Sequence, residues 1–258
     1  MAILFDGVND VITVANESSF DFDFDDPFTL SAWINTSVTG LGAIFAKVDT
    51  GASFRGFEFR VNSSVLRFLL TSTDGSDQIV IDGATAVDDG AWHHVAITYD
   101  GSDDASGTLM YVDGADDGST VTNNLTTTTT NNISLTIGSR STAAVEFTGQ
   151  IADPIVFNVA LTPREIAIMC ESRMKYQALM LSQANVVSYW PMDDQPAESA
   201  AAADTVRDFF GSNDGTVTNE GTWKAEEVLS YVSGIITPSA IDVAVGVASQ
   251  RLLVGVGS

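Results

Sequence analysis

Phe57-Glu58-Phe59-Arg60-Val61 alternates apolar and charged residues with a period of two. In an extended chain this puts the apolar side chains on one face and the charges on the other, as in a strand with one buried and one wet side. Runs of the same kind lie outward from it at Asp10 to Val14, Phe28 to Thr36, Val65 to Thr71, Trp92 to Tyr99, Thr108 to Val112 and Ile151 to Phe157. Between them Asp74-Gly75, Asp82-Gly83, Asp89-Gly90, Asp100-Gly101 and Asp113-Gly114 set a residue tolerant of positive φ where hairpins require one. Short strands and frequent turns over the first 160 residues describe an all-β sandwich. The Thr-rich stretch from Thr120 to Asn132 is β-branched and reads as a solvated loop or an edge strand.

One helix interrupts the pattern. Thr162-Pro163-Arg164-Glu165 supplies an N-cap, a proline at the first helical position and the glutamate of a capping box. The helix is predicted to run from Pro163 to about Ser182, with a stripe of Ile166, Met169, Cys170, Arg173, Met174, Gln177 and Leu181 against the sandwich. Cys170, the single cysteine, then reads as a small buried hydrophobe. Val186 to Trp190 and Gly215 to Trp223 read as further strands, separated by an acidic, Ala-rich loop. Residues 226–258 change character, with 17 hydrophobic and four charged residues in 33, and Ile241, Val243, Val245 and Val247 alternating with small residues. So apolar a strand must pair with its own sandwich or with another subunit.

The chain has 258 residues, enough for one sizeable core with an appendage. Its 34 acidic residues, 25 Asp and 9 Glu, outnumber 11 basic ones, only 3 of them Lys, for a net charge of -23. Nucleic acid and anionic membrane are therefore excluded as main partners. The N-terminus, Met1 to Asp6, lacks a basic region, so no signal peptide is read there. The apolar tract from Ile235 to Val256 is broken by Pro238, Asp242, Gln250 and Arg251, short of a membrane span.

Several segments resemble a known family. Phe5 to Val14, Phe28 to Ile34, Trp92-His93-His94-Val95-Ala96-Ile97-Thr98-Tyr99-Asp100-Gly101, Tyr111-Val112-Asp113-Gly114, Phe147-Thr148-Gly149-Gln150-Ile151-Ala152-Asp153 and Leu161 to Ile166 are similar to the laminin-G-like, concanavalin A-like lectin/glucanase superfamily. The resemblance implies a two-sheet antiparallel jelly roll, flanked by the helix and followed by a β-type tail. Tyr189-Trp190-Pro191-Met192-Asp193-Asp194, Asp204 to Asp208, Asn213-Asp214-Gly215-Thr216 and Trp223 resemble the segment that ordinarily precedes the Phe-Asp-Gly strand. Here that segment follows the helix, so the order looks circularly permuted, with the domain at 1–225 and the tail at 226–258.

The same resemblance implies a structural calcium ion, for which Asp6, Asp10 and Asp153 are the candidate ligands, since calcium takes six to eight oxygens. The residues leave a second reading open, in which Asp6 and Asp10 cap the turn around Gly7 and Asp153 is a surface strand residue. Asp21-Phe22-Asp23-Phe24-Asp25-Asp26 likewise reads as a cation loop or as a half-buried loop before a strand. His93 and His94 face opposite ways in a strand and cannot chelate one metal together. No Gly-x-Ser-x-Gly sequence accompanies them, and no Glu-x-Asp-x-x-Glu spacing supplies the paired carboxylates of a glucanase, so the chain is read as non-catalytic.

Two functions follow as expectations. The first is a structural protein of a tailed-phage virion, decorating the capsid or another virion surface, homo-oligomeric with a trimer preferred, and docked on capsid proteins through the tail. The domain starting at Met1, the acidic body and the apolar tail motivate it. The second is a carbohydrate-binding or adhesion module, secreted or at a cell surface. Trp33, Trp92, Trp190 and Trp223 offer sugar-stacking faces in that case only if exposed, whereas their strand positions suit a core. Surface glycans fit either function.

Overall fold

The computed structural model describes residues 1–51, 53–140, 145–171, 183–194, 204–219 and 221–224. The chain divides into Met1–Ala225 and Glu226–Ser258. The second unit lies outside the described residues, as does the predicted helix beyond Glu171.

In chain order the strands are β1 (Ala2–Asp6), β2 (Val11–Val14), β3 (Phe28–Asn35), β4 (Leu41–Asp49), β5 (Arg55–Asn62) and β6 (Val65–Thr73). They continue with β7 (Asp77–Gly83), β8 (Trp92–Tyr99), β9 (Thr108–Val112), β10 (Ala115–Asp116), β11 (Gly118–Asn123) and β12 (Leu135–Ile137). The last are β13 (Thr148–Phe157), β14 (Val186–Tyr189), β15 (Thr205–Val206), β16 (Gly215–Thr218) and β17 (Thr222–Lys224). Helix α1 (Pro163–Glu171) lies between β13 and β14. One sheet has the order β10-β9-β8-β3-β13-β1-β17, with β14 also on β13, and the other has β11-β7-β6-β5-β4-β12-β2-β16-β15. Every pairing is antiparallel, giving the expected two-sheet jelly-roll sandwich.

Period-two alternation sets the inner faces. Phe57, Phe59 and Val61 of β5, Leu66, Phe68 and Leu70 of β6, and Ile79 and Ile81 of β7 are buried in one core with Leu30, Ile34, Val95, Ile97 and Tyr99 of the opposite sheet. Phe28 lies at its centre, with ring centroids 4.9 Å from Phe22, 5.6 Å from Phe57 and Tyr99, and 6.1 Å from Phe68. Its neighbours come from both sheets, so this one ring holds them together by apolar burial and aromatic contact. Helix α1 covers the outer face of the first sheet, burying Ile166 and Met169 against Ala96, Tyr111, Ile155 and Phe157. Its N-terminus is a capping box: the Thr162 N–H donates to Glu165 Oε2 at 2.7 Å, and the Glu165 N–H donates to Thr162 Oγ1 at 3.3 Å.

Three of the following details differ from the sequence reading, and the Asp113-Gly114 turn agrees with it. Asp82-Gly83 ends β7 in register with Ser119 and Gly118 instead of making a turn. Asp113-Gly114 is the short turn of the set, both residues having positive φ (51° and 79°), as the twist of a two-residue hairpin requires. Gly215 to Trp223 is two strands in different sheets, β16 on β2 and β17 on β1, divided by a corner where Asn219 has φ 71°. Finally, the charged face of β5 is not wet, because Glu58 is 2% exposed.

Phe28→Ala is expected to lower unfolding stability by about 3–5 kcal/mol, whereas Val8→Ala at an exposed position changes it by less than about 0.5 kcal/mol. Urea titration followed by tryptophan fluorescence measures both. A loss below about 1 kcal/mol for Phe28→Ala removes this ring from the centre of the core.

Candidate functional site

An open cleft of about 510 Å³ is lined by Ser19, Phe22, Asp26, Pro27, Asn158, Val187 and Asn213. The lining comes from the segment before β3, the residue after β13, strand β14 and the turn before β16. Four short polar side chains converge there with three apolar ones, a combination that holds a small polar ligand by hydrogen bonds over an apolar floor.

The walls are fixed by internal bonds. Asn213, buried at the base, accepts at Oδ1 from Asn16 Nδ2 (2.6 Å) and Ser19 Oγ (3.1 Å), and its Nδ2 donates to Ser188 Oγ (2.7 Å). Its carbonyl accepts the indole N–H of Trp190 at 2.8 Å, and its own N–H donates to Asp208 Oδ2 at 3.2 Å. Next to Phe22 in the chain, Asp21 pairs at 2.7 Å with Lys47, whose side chain is 1% exposed and donates to the Asn131 carbonyl at 2.8 Å. Asp23 accepts from Thr129 N (2.8 Å) and Thr128 Oγ1 (3.0 Å), and the Tyr99 hydroxyl donates to the Phe24 carbonyl. The acidic run from Asp21 to Asp26 is thus a half-buried loop anchored to Lys47 and to residues 128–129. Asp26 and Asn158, on the rim, are exposed.

The three candidate calcium ligands do not form one site. Asp10 Oδ2 accepts the Asp6 N–H at 2.9 Å, and Asp6 Oδ1 accepts the Val8 N–H at 2.8 Å, closing the turn around Gly7. Gly7 has φ 78°, and a Cβ there would lie 1.9 Å from Thr148 Oγ1. Asp6 pairs with Thr148. Asp153 is five residues farther along β13, roughly 15 Å away at the rise of an extended strand, whereas calcium ligands lie within about 2.6 Å of the ion. Asp153 sits at a bulge with φ 49°, its Oδ1 accepting from the Tyr189 hydroxyl at 2.8 Å. Among the described residues no three His, Cys, Asp or Glu side chains converge to hold a metal. The trio therefore does not fit the ion, and the turn-capping reading of Asp6 and Asp10 replaces it.

Ser31 Oγ lies 2.8 Å from His94 Nε2, the spacing of a nucleophile and its base. Both residues are 1% exposed, Trp33 packs edge-on against the imidazole, and among the described residues His94 Nδ1 is buried without a partner and no third group orients it. Burial lowers the His94 pKa to about 4, and the ring stays neutral. Cys170 is half-buried, and burial, with Asp113 and Glu171 adding, pushes its thiol up to about 12. All four tryptophans are buried, so none offers a face to a sugar.

His93 is placed differently. Its Nδ1 lies 2.8 Å from Asp113 Oδ2 and its Nε2 3.2 Å from Asp89 Oδ1, so both nitrogens meet carboxylates from different turns. The hydrogen bond to Asp113 raises its pKa above 6.5, against an opposing effect of burial, with the charges of Asp113 and Asp89 adding. A folded-state pKa above the unfolded value stabilises fully below about 6.5 and ceases to do so as pH rises through the folded value. The stability difference between the native chain and His93→Gln is expected to be largest near pH 5.5 and smaller at pH 8.5. Urea unfolding across that range measures it, and a difference that does not shrink with pH refutes the charged bridge.

The profile of the concanavalin A-like lectin/glucanases superfamily matches residues 6–167. A protein from Bacteroides ovatus proposed to bind carbohydrate is similar in structure, with a TM-score of 0.58 and 20% identity, over 88% of this chain and 60% of its own. The chain therefore spans 60% of that protein's length. The native heptameric SAP-like pentraxin of Limulus polyphemus has a TM-score of 0.49 and 18% identity, over 67% of this chain and 83% of its own. Domains LG4-5 of the mouse laminin alpha1 chain have a TM-score of 0.46 and 18% identity, over 63% and 43%. At these identities the likeness is one of fold. No curated protein matches the sequence.

Proposed function

Because the chain belongs to the concanavalin A-like lectin/glucanases superfamily, we propose that it is a non-catalytic binding module whose ligand is a saccharide held in the cleft. The observation that carries this reading is the convergence of Ser19, Asp26, Asn158 and Asn213 over Phe22, Pro27 and Val187 on walls already fixed by internal bonds. Hydroxyl-rich ligands require such short donors and acceptors, and fixed walls reduce the entropy lost on binding. Among the described residues Asp26 is the one carboxylate of the lining, whereas glycoside hydrolysis ordinarily requires two.

Asp26→Ala combined with Asn158→Ala, both exposed, is expected to leave the melting temperature within a few degrees of native. The same pair is expected to weaken oligosaccharide binding at least tenfold, about 1.4 kcal/mol. A glycan array selects the ligand and calorimetry measures it. Unchanged affinity in the double variant, binding of no glycan, or turnover of the bound sugar each overturns the reading.

We further propose the site of action: the surface of a tailed-phage virion, with residues 226–258 docking the domain on capsid proteins or on other copies. Support comes from the net charge of -23 and from the apolar, strand-patterned composition of the tail. Light scattering after size exclusion is expected to give a defined oligomer, a trimer in the first instance, for the full chain and a folded monomer for a chain ending at Glu227. Two monomers refute the tail as an assembly element.

We also read the order of elements as a circular permutation of the family's. The pairing of Ala2 with Lys224 supports this, since it sets β17 where the strand preceding β1 stands in the unpermuted order.

A further inference from the structure

The outer face of β5 and its neighbours carries a charge arrangement that the fold does not require. Arg60 of β5 stands directly opposite Arg67 of β6, and Arg67 stands opposite Asp82 of β7. Like charges directly opposite one another destabilise a sheet. In a chain with 11 basic residues and a net charge of -23, three arginines nevertheless meet here, since Arg140 reaches the same place across Glu58. Arg140 is held there over the Phe54 ring, 5.4 Å from its centroid.

The internal carboxylates do not balance them. Glu58 Oε1 accepts from Arg140 Nε at 2.8 Å, and its Oε2 accepts from Arg140 Nη2 and Arg60 Nη1, each at 2.6 Å. Asp82 accepts Nε and Nη2 of Arg67 at 2.5 and 2.6 Å. Three guanidiniums thus share two carboxylates, and every carboxylate oxygen already has a donor. Arg60 Nε is buried without a partner among the described residues. Burial lowers the pKa of Arg60, and the nearby charges of Arg140 and Arg67 lower it further, against the opposing effect of Glu58. The position therefore carries a local positive surplus. It is reachable from the Arg67 side, because the side chains of Arg67 and Asp82 are 28% and 25% exposed, whereas those of Arg60 and Arg140 are 11% and 14% exposed.

We propose that Arg60 and Arg67, with Arg140 beside them, seat one carboxylate of a ligand, of the kind borne by a hexuronic acid residue of a saccharide. This deepens the saccharide-binding reading and rests on it for the sugar, but the seat shares no residue with the cleft. The planar guanidinium fork matches a planar carboxylate side-on, the geometry that Glu58 and Asp82 already adopt. Net repulsion from the rest of the surface disfavours a polyanion, so a saccharide with isolated acid groups suits the site.

The test is a nuclear magnetic resonance titration of the full chain, following arginine Nε–H and backbone amide signals. Methyl glucuronide, methyl glucoside and sodium sulfate are added at matched ionic strength. Saturable shifts of the arginine signals are expected with the glucuronide and not with the glucoside. Asp82→Asn, which releases Arg67 from its internal partner, is expected to tighten the glucuronide at least threefold, and Arg67→Gln to weaken it at least tenfold. If Arg67→Gln does not fold, Asp82→Asn decides. Arginine signals that do not move with the glucuronide, that move equally with sulfate, or an Asp82→Asn variant that binds no better, each overturn the proposal. Failure of the cleft reads separately, as amides of Asn158 and Asn213 that no neutral oligosaccharide moves while the arginine result stands.

Discussion

The hydrogen bonds of the buried Asn213 side chain hold together parts of the molecule that the chain order separates. One amide group joins Asn16 and Ser19 near the N-terminus to Ser188 on β14, and the backbone of the same residue satisfies the Trp190 indole and engages Asp208. Removing one partner from such a network leaves several buried polar groups unpaired, at about 1–3 kcal/mol each. Asp208 extends the network, accepting the N–H groups of Tyr189 and Phe210 while its own N–H donates to Asp214. One residue of the cleft lining thus joins the first 20 residues to the last described strands. Binding geometry and fold integrity depend there on the same atoms.

The electrostatics of the molecule are organised around scarcity of cations. Lys47 anchors the acidic loop on one side of the cleft. Arg60 of β5, Arg67 of β6 and Arg140 meet on a single outer face, where two carboxylates, Glu58 and Asp82, hold them. Asp-rich turns elsewhere use their carboxylates locally, as at Asp6 and Asp10, to satisfy backbone N–H groups. The surplus of Asp over Glu therefore serves turn formation as much as net charge.

Much of the fold was legible in the residues, and the reason is geometric. Trp92–Tyr99 and Thr108–Val112 alternate or run apolar between Asp-Gly steps, and both are strands at those bounds. Strand β4, Leu-Gly-Ala-Ile-Phe-Ala-Lys-Val-Asp, escaped notice because it is buried on both faces for most of its length and shows no alternation. The site was far less legible. Its lining is drawn from residues 19 to 27, 158, 187 and 213, and short Asn, Ser and Asp side chains at such distances look like ordinary loop composition. Glu58 was misplaced for a related reason: its covering partner, Arg140, is 82 residues away and belongs to no local pattern. Asp6 and Asp153 failed as co-ligands because strand register, which sets Asp6 against Thr148, is not written in either residue.

The flanks of both sheets are closed by the last described strands, Val14 pairing with Gly215 in one and Ala2 with Lys224 in the other. On a ribosome making roughly 5–20 residues per second, the outer edges of β1 and β2 wait on the order of 10–40 s for the segment that covers them. Pairings of such high contact order form slowly even in a finished chain. During synthesis the two sheets therefore each keep an open edge until residues 215–224 are made. Open strand edges of this kind pair readily with other chains, so the yield of native protein is expected to depend on how long that interval lasts.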